Sequence, residues 1–168
     1  MSPRLGGDAR ERIGMNPGIV SSWSADWAWG LPLIVLTVVV HVFGLGLISQ
    51  RAVRVSTGID ERRHRTAVFV VVMGAATLLA TSLHGMEAGI WAATYRLLGA
   101  LPDGKSAMLY SLNAMTSYGH TNLSLEPHWH LMGAIEALNG WLLFGLTAAF
   151  LFALFQKVSL LDSSGDHR

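Results

Sequence analysis

The sequence predicts an all-α membrane protein, and three observations predict it. Only 14% of the 168 residues are charged while 51% are apolar, whereas a soluble domain carries about 25% charged residues. Most of the charges fall within the first 12 residues, the stretch 51–65 and the last dozen. Between them lie apolar runs long enough to cross a bilayer, whose core of about 30 Å takes roughly 20 helical residues. Three such runs and one shorter apolar segment predict three transmembrane helices with an extra element between the second and third.

Each element follows from its residues. Residues 1–28 read as a polar, glycine-rich arm without the apolar stretch of a signal peptide. The first span, 29–50, is rich in Leu and Val and interrupted only by His41. Trp23, Trp27 and Trp29 crowd its edge, as aromatics do at a membrane interface. Its Gly44-x-Gly46 pair suits close packing as a peripheral helix. The connection 51–65 carries Arg51, Arg54, Arg62, Arg63 and Arg65, charges that set topology and can meet anionic lipid heads. The second span begins at Thr66, and its apolar pattern continues to about Leu98. That is too long for a perpendicular crossing, so it predicts a tilt, an extension past the membrane or a break near His84-Gly85. Pro102-Asp103-Gly104 is a turn signal. Residues 106–115 are apolar but too short to cross, as re-entrant or interfacial segments are. Residues 116–127 are polar and turn-prone, the third span covers about 131–155, and 158–168 form a short tail. The basic 51–65 connection predicts a cytoplasmic location for itself and the tail. The N-terminus and the 99–130 connection, which has Lys105 as its only lysine or arginine, are then outside.

Composition also excludes functions. There is no cysteine, hence no disulfide, thiol nucleophile or cysteine metal site. The net charge of +1 offers no field for nucleic acid. No glycine-rich phosphate loop, HExxH or GxSxG is present, so the expectation is a protein that is not an enzyme.

The stretch 110–139, YSLNAMTSYGHTNLSLEPHWHLMGAIEALN, resembles the pore module of small bacterial potassium-channel-like proteins. In that family a pore helix leads into T-T-x-G-Y-G-D, and a Trp seven residues past the Asp begins the inner helix. Here Thr116, Ser117, Tyr118, Gly119, His120, Thr121 and Asn122 fill the filter positions, and Trp129 falls seven residues after Asn122. Leu131, Gly133, Glu136, Ala137 and Gly140 follow the family's inner-helix pattern without a gap. His120 stands for the filter tyrosine, Thr121 for its second glycine and Asn122 for its aspartate. These departures set the loop apart from a strict potassium filter.

The resemblance implies a pore module over 66–157, with the second span as outer helix. It implies a filter of residues 116–120 supported by Asn113, Asn122, Trp129 and Glu136, and a hinge or close-packing role for Gly140. A filter of this kind replaces an ion's water with backbone carbonyls, and one chain supplies one loop, so a homotetramer is implied. The permeant ion would be a monovalent cation such as potassium, with no bound cofactor. The partners would be the lipid bilayer and further copies of the chain, in a bacterial-type plasma membrane. Four copies of His120 near one axis predict a pH-sensitive outer mouth, unless the ring packs sideways. Phe152 and Phe155 would line the inner mouth or simply face lipid.

Ionisable residues in a span are functional candidates. Here they are His41, His84, Glu87 and Glu136. His84 and Glu87 share a helix face. Glu136 is expected to brace the filter through Asn113 or Ser111, to face the ion path, or to pair with His84. His120, Glu126, His128 and His130 form a loose outer set for a metal. Paired haem ligands would need a second histidine pair, which is not evident. Two other classes remain beside the channel: a non-conducting channel-like subunit and a histidine-based metal-binding membrane protein.

Overall fold

The computed structural model describes residues 17–57, 65–119 and 123–163, and the regular structure among them is helical. Helix α1 spans Pro17–Thr57, α2 Arg65–Leu97, α3 Gly104–Met115 and α4 His130–Ser163, with a 3-10 turn at Pro127–Trp129 before α4. Three stretches, Trp23–Ser56, Thr66–Leu97 and Pro127–Val158, are long and apolar enough to cross a membrane. The architecture is that of a multi-pass membrane protein. Long helices are what such a sequence must form, because a bilayer offers no water to satisfy backbone polar groups.

Several boundaries differ from the sequence reading. Helix α1 starts at Pro17, inside the expected arm 1–28, and continues through Arg51 and Arg54 to Thr57. Proline suits a first helical position because its missing N–H has no helical acceptor there. Pro32 lies inside α1, where it removes the donor that would meet the Ala28 carbonyl. Helix α2 is unbroken through His84-Gly85, so its excess length is not taken up by a break. Helix α4 extends to Ser163, into the expected tail.

The chain turns sharply after α2. Gly99 adopts φ +66°, and the amides of Gly99 and Ala100 donate to the carbonyls of Arg96 and Tyr95. This left-handed closure is the usual glycine helix stop. The Arg96 guanidinium then donates to the carbonyls of Leu101 and Pro102 at 2.9 and 2.7 Å. Asp103 caps α3, accepting from the amides of Lys105 and Ser106 at 2.9 and 3.0 Å. These hydrogen bonds hold the Asp103 carboxyl below the usual carboxylate range.

Helix α3 packs between α2 and α4. Ser111 touches the carbonyl of Ala88, which lies nine residues before α2 ends at Leu97, about 14 Å of helix. The backbone of Met115 abuts Gly140, ten residues past the start of α4 at His130, about 15 Å. The close approach depends on glycine. A Cβ at Gly140 would lie 2.3 Å from the Met115 carbonyl oxygen, and one at Gly133 2.1 Å from the Tyr110 hydroxyl. Gly133, Glu136 and Gly140 are spaced to share one face of α4, and that face receives α3. The main core gathers around it, with Trp91, Tyr95, Ala107, Tyr110, Met132 and Ile135 buried together. At the other end Ala52, Val72, Ala76, Leu154 and Val158 form a smaller cluster.

Candidate functional site

Helix α3 ends in a tight turn. The amide of Ser117 donates to Ala114 and that of Tyr118 to Asn113, both at 3.1 Å. Ser117 takes φ +55° and Gly119 φ +87°. The first is the left-handed residue of a helix-closing motif usually filled by glycine, and a side chain there costs about 1 kcal/mol. The Ser117 hydroxyl is held in return, accepting from the Trp141 indole N–H at 2.8 Å. Thr116 donates its hydroxyl to the Leu112 carbonyl at 2.7 Å. All four residues 116–119 are exposed, Tyr118 to 84%.

Behind α3 lies a buried polar brace. Glu136 is fully buried. The Tyr95 hydroxyl donates to its Oε2 at 2.6 Å, and its Oε1 is in hydrogen-bond contact with Ser111. Ser111 is also 2.7 Å from the Ala88 carbonyl. A serine hydroxyl has one hydrogen and cannot donate to both acceptors. The count closes when the Glu136 carboxyl carries a proton and donates it to Ser111, which then donates to Ala88. This carboxyl thereby ties α4 to α3 and α2. One turn further, Asn139 Nδ2 donates to Thr37 at 2.8 Å and links α4 to α1.

A second buried cluster sits between α1, α2 and α4. His41 Nδ1 meets Glu87 Oε1 at 2.8 Å. His84 Nδ1 lies 3.5 Å from Glu87 Oε2. The Thr147 hydroxyl is 3.0 Å from Nε2 of each imidazole. His41 and Glu87 are fully buried and the His84 side chain is 22% exposed. The four groups form a closed ring inside the three apolar helices.

The structure brings together some of the sequence-derived candidates. Ser111 is the α3 residue on Glu136, while Asn113 is half-buried. Glu136 does not pair with His84, whose partners are Thr147 and Glu87. Gly140 is a close-packing residue against Met115. Trp129 is buried and belongs to the 3-10 turn, just before α4 begins. His120, Thr121 and Asn122 lie outside the described residues. Among the described residues the outer set Glu126, His128 and His130 makes no metal-capable group. The metal-capable group is His41, His84 and Glu87. His130 donates to the Leu125 carbonyl at 2.8 Å, and His128 lies against Trp129. Phe152 is exposed and Phe155 packs edge-on against Phe69.

Sequence reasoning missed Tyr95 and Thr147. Tyr95 near a span end reads as an interface aromatic, and Thr147 sits in an apolar run without periodic signal. Compared with protein-family models, with curated proteins and with solved structures, the chain finds no match.

Proposed function

We propose that the protein is a small pore-loop cation channel, potassium-channel-like but without a strict potassium filter, that conducts passively as a homotetramer. The observation that carries this is α3. It is a 12-residue helix packed between two membrane-length helices, and its C-terminal end lies about ten residues along α4. This placement supports reading α3 as re-entrant, and its C-terminal partial negative charge of roughly half an electron would favour a cation beyond it. The turn that follows is exposed and alternates left-handed residues at 117 and 119, which lets carbonyls turn toward one side. Glycine at 133 and 140 and the Glu136 brace fix α3 at this depth. In this reading the basic connection and the tail are cytoplasmic, and copies of the chain meet across the exposed turn.

The test is cation flux from liposomes containing the purified protein. Passive potassium or sodium flux is expected, with strong loss in Gly119→Val, because φ +87° resists a branched side chain. Absence of flux across voltages and from pH about 5 to 8 would leave a non-conducting membrane subunit instead.

A further inference from the structure

We propose that His41, His84 and Glu87 form an intramembrane site for one divalent transition-metal ion of the zinc class, with Thr147 supporting both imidazoles from behind. Proton counting leads there. The ring has four links: Glu87 to each imidazole Nδ1, and Thr147 to each Nε2. Two neutral imidazoles and one hydroxyl bring three hydrogens. With the Glu87 carboxyl ionised, one link therefore joins two acceptors.

The distances identify which. His41 Nδ1 and Glu87 Oε1 are 2.8 Å apart, an ordinary hydrogen bond, so His41 carries its hydrogen on Nδ1. Thr147 then donates to His41 Nε2 and accepts from His84 Nε2–H. What remains is the bare Nδ1 of His84 facing Glu87 Oε2 at 3.5 Å. That oxygen is buried with no hydrogen-bond partner.

A nitrogen lone pair facing a carboxylate oxygen calls for a cation between them. The separation favours a metal over a proton. Bonds of about 2.1 Å at the tetrahedral angle put two ligand atoms about 3.4 Å apart. A shared proton would draw nitrogen and oxygen to about 2.7–3.2 Å. Donor atoms of all three residues lie within 4.8 Å of one another, and two imidazoles with one carboxylate are a zinc-type donor set.

Binding would require only that His41 move its hydrogen to Nε2. Thr147 would then accept from both rings, the outer hydrogen bond that metal-bound histidines characteristically make. Its own hydrogen would be free for its own helix. The hydroxyls of Thr37, Thr77, Thr81, Thr94 and Thr116 already donate to the carbonyl four residues back, whereas that of Thr147 is turned to the rings. The partly exposed edge of His84 gives access. The ion would fasten the first helix to the second.

The experiment is titration of the purified full-length protein with Co²⁺ as a visible probe, with Zn²⁺ in competition. One Co²⁺ per chain with a four-coordinate spectrum, displaced by Zn²⁺, is expected. Glu87→Gln keeps the fold, because an amide can accept from His41 and donate to His84, closing the fourth link. It should nevertheless lose about 100-fold or more in affinity. Thr147→Val should weaken binding about 10–100-fold. No uptake by the wild type, a six-coordinate spectrum, or binding unchanged in Glu87→Gln would overturn the proposal. So would imidazoles that titrate together with Glu87 while taking up no metal. None of these readouts depends on conduction.

Discussion

Glu87 and Glu136 are both fully buried in the same bundle, yet they are held in different ways. Glu136 faces hydroxyls. Tyr95 and Ser111 can rotate a hydrogen toward whichever atom needs it, and with one proton on the carboxyl every link is filled. Glu87 faces two imidazoles, each with a single hydrogen that must choose between two ring positions. Its second oxygen is left with no donor. A carboxyl among hydroxyls is therefore a fixed joint, whereas the carboxyl among imidazoles is the site proposed to take a cation. The first lies behind the candidate pore loop and the second between α1, α2 and α4.

Breaking the fixed joint has the largest expected effect. Glu136→Ala leaves the Tyr95 hydroxyl without its acceptor and takes one partner from Ser111 beside a new cavity, and should cost about 3–5 kcal/mol in unfolding of the purified protein. Glu136→Gln should cost less than about 1 kcal/mol, because its amide can donate to Ser111 and accept from Tyr95. A large loss in both would mean the carboxylate is charged. Gly140→Ala comes next, at about 1–3 kcal/mol. The obstacle is the Met115 backbone, so α3 itself must shift, which limited proteolysis of the 99–126 connection would report.

Tyr95→Phe removes one donor and should cost about 1 kcal/mol. The smallest effect belongs to the cap of α3. The folded-state carboxyl of Asp103 is lowered from 3.8, so its support is complete above the ordinary carboxylate range. It is lost as pH falls through the lowered value. Proteolysis of the connection should quicken only in that acid window, and Asp103→Ala should abolish the dependence.

The three spans were legible because a bilayer imposes a length and a polarity that a run of apolar residues displays directly. Helix α3 was legible through Pro102-Asp103-Gly104 and through its shortness. The ends of α1 were not. The residues 17–28 and 51–57 are polar enough to read as arm and connection, and helices continue past the apolar region at little cost. The sequence offered Asn113, Ser111 or His84 as partners of Glu136, and the structure places Ser111 there. The ring could not be. His41 and Thr147 are 106 residues apart, and one histidine in an apolar run does not say which neighbour it faces.

The most direct measurement is cation flux from liposomes, comparing wild type, Glu136→Gln and Glu136→Ala at equal incorporation. A braced pore loop predicts passive flux in the wild type, near-equal flux in Glu136→Gln and strong loss in Glu136→Ala. No flux in the wild type, or equal flux in all three, would contradict it.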